Sequence, residues 1–105
     1  MLTQQDSIEY SQRFINKLKS KGLNIKYAML FGSYSTNNQH PDSDIDIALA
    51  ADEFIGFGFL DIDFFAMELF EYDLIQVKTY NTKYFEKGDP FIDEINKTGI
   101  SLKVN

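Results

Sequence analysis

Apolar residues return at helical spacing near the start of the chain, at Ile8, Phe14, Ile15 and Leu18 with Ser11 on the same face, predicting an amphipathic helix. Thr3 followed by Asp6 has the form of a capping box at its start, and Gly22 supplies its stop. Ile25 to Phe31 is a short apolar and aromatic run, which reads as a strand ending at Gly32-Ser33. The polar stretch from Ser35 to Pro41 is then a surface loop. Ser43 to Ala50 predicts a second strand, with Asp44, Asp46 and Ala48 on one face and Ile45, Ile47 and Leu49 on the other.

The pattern from Phe54 to Phe70 is weaker at its beginning, where Gly56 and Gly58 stand, but Leu60, Phe64, Met67 and Leu69 predict a helix packed on the sheet. Tyr72 to Val77 reads as a third strand and Asn81 to Lys87 as a short helix or turn. Asp89 can cap a last helix with Pro90 in its first position, a stripe of Phe91, Ile92 and Ile95, and an end at Gly99. A final strand covers Ile100 to Val104. The order α, β, loop, β, α, β, α, β implies an α/β (α+β) chain: a mixed sheet of about four strands flanked by helices.

Composition narrows the class. At 105 residues, with ten Phe, six Tyr and a hydrophobic share of 44%, the chain suits one domain around one core, not a disordered or fibrous polymer. It has no Cys, so no disulfide or thiolate metal site can form. A net charge of −6 speaks against general nucleic-acid binding, which needs cations to neutralise phosphates. With no basic-then-apolar leader and no apolar run of bilayer length, the expectation is a cytoplasmic protein without membrane contact.

Candidate chemistry centres on Asp44 and Asp46. Two residues apart on a strand, their carboxylates leave one face with Cα atoms about 7 Å apart, within reach of one divalent ion. Mg²⁺ favours such hard oxygen ligands and completes its shell with substrate phosphates and water. Asp-x-Asp alone is common, and Asp61-Ile62-Asp63 is a decoy of the same form. The distinguishing context is Gly32-Ser33, where a missing Cβ lets the backbone approach a phosphate and a hydroxyl can donate to it. Ten residues separate Gly32-Ser33 from Asp44-Ile45-Asp46.

Gly-Ser, ten residues, Asp-x-Asp, with Leu30-Phe31 before it and Ser43 beside it, resembles the motif of polymerase β-like nucleotidyltransferases, specifically the minimal ones. The resemblance covers nearly the whole chain and implies one minimal nucleotidyltransferase domain over 1–105. It also implies a third acidic residue on a later strand, for which Asp73 in Tyr72-Asp73-Leu74-Ile75 is the match. By this resemblance Asp44, Asp46 and Asp73 hold Mg²⁺ and carry catalysis, while Gly32 and Ser33 bind the nucleotide, ATP. One departure stands out. Many members continue Gly-Ser-x with Ala-Arg-Gly, whereas Ser35-Thr36-Asn37 follows Tyr34 here and brings no cation. His40 is a minor candidate for phosphate or base contact, and the series Phe54, Phe57, Phe59, Phe64, Phe65 and Phe70 suits a core or partner interface better than base stacking.

Minimal nucleotidyltransferases typically resemble antitoxins whose partner is a HEPN-domain ribonuclease toxin. The expectation that follows is AMP transfer from ATP to a toxin tyrosine, with the two proteins forming a hetero-oligomer. Two alternatives are a binding module that neutralises its partner by stoichiometric contact, and a small-molecule adenylyltransferase of the antibiotic-resistance type.

Overall fold

The computed structural model describes residues 2–105. Helix α1 (Gln4–Ser20) begins at the expected capping box: Asp6 N donates to Thr3 Oγ1 at 3.0 Å and Thr3 N to Asp6 Oδ2 at 3.1 Å. Strand β1 (Ile25–Phe31) and strand β2 (Ile45–Ala51) pair antiparallel, with Phe31 opposite Asp46. Strand β3 (Ile75–Asn81) pairs parallel to β2, with Asp46 opposite Gln76 and Ala48 opposite Lys78. The two-residue β4 (Ile100–Ser101) closes the other side of β1, and Leu102 N still donates to Ala28 O. The sheet order is β3-β2-β1-β4, a four-stranded mixed sheet as expected.

The parity of β2 divides the molecule. Ile45, Ile47 and Leu49 are fully buried against Phe14, Ile15 and Leu18 of α1, each large apolar side chain contributing roughly 1.5–3 kcal/mol on burial. The opposite face also has a core, so the expectation of a single one is corrected. Ala48 and Ala50 pack with Tyr80, with Phe85 of α4 (Thr82–Lys87), and with Ile92 and Ile95 of α5 (Pro90–Thr98). Helix α5 starts as its sequence dictates, the Asp89 carboxylate accepting from Ile92 N at 2.7 Å and Pro90 in the first turn.

The crossover from β2 to β3 departs from expectation. Instead of one helix over 54–70 there is α2 (Gly58–Asp61), a 3₁₀ turn (Ile62–Phe64) and α3 (Ala66–Glu71). The cause is Asp61, only 2% exposed, whose carboxylate accepts from Ile55 N at 3.0 Å, Gly56 N at 2.9 Å and Thr79 Oγ1 at 2.8 Å. These bonds tie the start of the crossover to β3, leaving Phe54 and Phe65 as its buried anchors, while Leu60, Phe64 and Met67 face outward. The third strand likewise begins at Ile75 instead of Tyr72. No described helix is long and apolar enough to cross a membrane.

Candidate active site

Chain geometry brings the two halves of the motif into contact. Because Phe31 pairs with Asp46, the residue after β1 meets the Asp46 side chain, and Gly32 turns there with φ +78. A Cβ on Gly32 would lie 2.4 Å from Asp46 Oδ2, so only glycine fits both the backbone angle and the space. The loop beyond is fixed by its own polar groups. Ser35 N and Oγ donate to Gly32 O at 3.1 and 2.8 Å, and Asn38 N donates to Ser33 O at 2.9 Å. Gln4 of α1 donates to Tyr34 O and Ser35 O, and the Tyr34 ring is buried. Ser43 N donates to His40 O and His40 N to Ser43 Oγ, a reciprocal turn that delivers the chain to Asp44. The Ser33 hydroxyl makes no hydrogen bond among the described residues. His40 is exposed in this loop, and among the described residues only its backbone makes hydrogen bonds.

Asp44 is exposed just before β2 and Asp46 is half-buried as its second residue. Burial pushes the Asp46 carboxyl above its usual range, and the neighbouring Asp44 charge adds to the effect. Two acceptor-only carboxylates crowded on one face, one of them poorly solvated, suit a hard divalent cation that would relieve their repulsion. Gln76 joins them, its Nε2 donating to Asp44 Oδ2 at 3.0 Å.

Asp73 is not brought to this pair. It occupies the turn before β3, three residues ahead of Gln76, on the side of the sheet covered by α1 and α3. There it lines a groove with Ile62, Ala66, Leu69 and Phe70, and its charge acts on the Tyr10 hydroxyl of α1. Among the described residues no three acidic or histidine side chains form a metal-holding group. The register places Gln76 beside Asp46, where a third carboxylate was expected.

The same face carries residues that the motif did not announce. One pair further along β2 and β3, Lys78 Nζ sits 5.4 Å from the Tyr80 ring centre and 5.7 Å from that of Phe91. Phe91 in turn packs edge-on against Phe31, the partner of Asp46, at 5.8 Å. Beyond Lys78 a cavity of about 720 Å³ opens between the crossover, β3 and the start of α5, lined by Phe57, Tyr80, Tyr84, Asp89 and Phe91 among others. It does not include the carboxylates; it begins one row of side chains away. Tyr80 and Tyr84 stack almost parallel, with an interplanar angle of 6°. The Tyr80 side chain is 5% exposed, and its hydroxyl has no hydrogen-bond partner. Burial, more than the nearby Asp89 charge, pushes that hydroxyl up to about 12, keeping it a proton donor. Extending the third strand to Asn81 would have revealed Gln76, Lys78 and Tyr80 as alternate residues on the face of Asp46.

A comparison with curated proteins finds no match to the chain. The family model described as polymerase beta, nucleotidyltransferase, matches residues 12–104, a span that holds Gly32-Ser33, both carboxylates, Gln76 and the Lys78 cavity. With nearly the whole length matched and the glycine turn seated against Asp46, the chain belongs to the polymerase beta nucleotidyltransferase family.

Proposed function

We propose that this nucleotidyltransferase moves AMP from ATP to a hydroxyl, and that the acceptor is a tyrosine of a cognate HEPN-domain ribonuclease, which makes the chain an antitoxin. The observation that carries nucleotidyl transfer is the contact of Gly32 with Asp46: backbone open to a phosphate lies against a carboxylate able to hold its counter-ion. Enzymes of this family commonly use divalent metals. Asp44 and Asp46 would hold Mg²⁺, which when bound would neutralise the phosphates and lower the charge developing on the leaving group. Gln76 orients Asp44, and the Ser33 hydroxyl is free to donate to a phosphate oxygen. Lys78, one pair beyond Asp46, brings a cation to this face and compensates for the loop that has no Lys or Arg.

In the transfer the acceptor oxygen forms a bond to the α-phosphorus while the bond from that phosphorus to the bridging oxygen breaks. Pyrophosphate leaves with the electron pair, and the hydroxyl proton passes to water at the exposed Asp44 side. The cavity beyond Lys78 seats the base and ribose between aromatic walls, Tyr84 and Phe91 among them.

A second reading, stoichiometric binding without transfer, is favoured by one feature: Asp73 stands away from the pair and a neutral Gln76 takes its place. Incubation with the product of the neighbouring gene, Mg²⁺ and α-labelled ATP separates the two. Label on that partner, lost in Asp44→Asn and Asp46→Asn, supports transfer. Equal silencing of the partner by wild type and both variants, without nucleotide, supports binding alone.

A further inference from the structure

The β2–β3 crossover presents an apolar surface out of proportion to the size of the molecule. Between Ile55 and Leu74, nine large apolar side chains are 39–85% exposed, Phe70, Phe59 and Met67 most of all. At roughly 150–250 Å² for a fully exposed large side chain, they present on the order of 1,000 Å². One side of a standard protein interface covers about 800 Å².

The surface has a shape and a charge. Between the 3₁₀ turn and α3 runs a groove of about 350 Å³, lined by Ile62, Ala66, Leu69, Phe70 and Asp73. Ala66, Leu69 and Phe70 follow one another at helical spacing, and the small Ala66 allows close approach of a second helix. From residue 52 to residue 77 the sequence has no Lys or Arg but seven acids. Asp61 and Glu53 accept from backbone donors, Glu53 from Asn24 N, while Glu68 and Glu71 are paired with Lys21 and Lys17 of α1. Asp52, Asp63 and Asp73 remain exposed and, among the described residues, take part in no ion pair.

We propose that this surface docks an amphipathic helix of a partner protein, apolar on the face that enters the groove and bearing Lys or Arg beside it. A basic side chain in the groove would lay its aliphatic stem along Phe70 and its charge on Asp73. A second copy of this chain is a poor occupant, because a twofold contact would set Asp63 and Asp73 against the same acids. An anionic lipid surface is repelled for the same reason. Docking stands apart from nucleotidyl transfer and needs no nucleotide. Ile55 and Phe57, at the start of the crossover, also line the cavity beyond Lys78.

The test uses the full chain without nucleotide and an 18-residue amphipathic helical peptide of Leu and Lys, followed by calorimetry. Controls are the same peptide with Glu for Lys, and vesicles of phosphatidylcholine with phosphatidylglycerol. The Lys peptide should bind at least tenfold tighter than the Glu peptide. Phe70→Ser should weaken it about tenfold with an unchanged melting temperature, and Asp63→Lys with Asp73→Lys should erase the preference for Lys. Equal binding of both peptides, no binding of either, or no effect of Phe70→Ser overturns the proposal. So does vesicle binding, or a stable dimer in sedimentation that buries Phe70.

Discussion

Replacing Gly32 by alanine is the sharpest probe of the contact that joins the two halves of the motif. At φ +78 an L-residue is strained by about 1 kcal/mol. The new methyl would also sit 2.4 Å from Asp46 Oδ2, where ordinary contact begins at 3.4 Å, so the carboxylate must move by about 1 Å. Driving it off its rotamer adds about 1 kcal/mol. The sum, about 2 kcal/mol, corresponds to a fall of about 8–16 °C in melting temperature for a domain of this size. In an Asp46→Ala background the nearest remaining atom is the Asp46 Cβ at 3.5 Å, an ordinary contact, so only the backbone strain of about 1 kcal/mol should persist. A double-mutant cycle by thermal or urea unfolding should therefore show about 1 kcal/mol of coupling. Equal losses in the two backgrounds would refute the contact. Where transfer is measurable, a carboxylate misplaced by about 1 Å should lower it about a hundredfold, far beyond the loss of folded protein.

Three other outcomes are expected. Asp46 makes no side-chain hydrogen bond among the described residues, and its folded carboxyl titrates above its unfolded value, so ionisation opposes folding. Asp46→Asn should melt higher than the parent at pH 7, the two converging as pH falls through the carboxylate range; a lower melting point at pH 7 contradicts this. Asp61→Ala leaves two backbone donors unpaired and should cost about 3 kcal/mol in urea unfolding, whereas Asp63→Ala, in the same Asp-x-Asp decoy, should stay within about 0.5 kcal/mol. Tyr80→Phe removes a buried hydroxyl without a partner, so it should leave stability in urea unfolding unchanged or slightly raised. A loss above about 1 kcal/mol would show that the hydroxyl has a partner after all.

Elements closed by local chemistry were legible in the sequence. Thr3 with Asp6, Asp89 with Pro90, and the run Ile25 to Phe31 lie where their residues dictate, because each depends on neighbours within a few positions. The parity of β2 was equally plain, since alternation alone decides that Asp46 and Ala48 oppose Ile45 and Ile47. What depended on distant partners was not. The bounds of β3 follow from its parallel register with β2, reached only through the crossover, and a start three residues late leaves Asp73 in a turn and puts Gln76 beside Asp46. The crossover itself is shaped by a buried Asp61 whose partners include Thr79, and no periodicity reports such a bond.

The composition of one strand explains why charge, cavity and core coexist on a single face of so small a sheet. From the residue before it, β2 presents Asp44, Asp46, Ala48 and Ala50, passing from carboxylate to methyl within seven residues. The two alanines are fully packed, and beside them Lys78 Nζ of β3 reaches the Phe91 ring of α5 while Tyr80 stacks on Tyr84 of α4. A Val or Leu at Ala48 would add bulk to the packed layer of Tyr80, Phe85, Ile92 and Ile95, beside the strand pair that carries Lys78. Ala48→Leu should therefore distort the second core by about 1–3 kcal/mol through overpacking, while Ala48→Gly should spare the cavity and weaken only the strand. Small residues at Ala48 and Ala50 are thus part of the site, although neither touches a substrate.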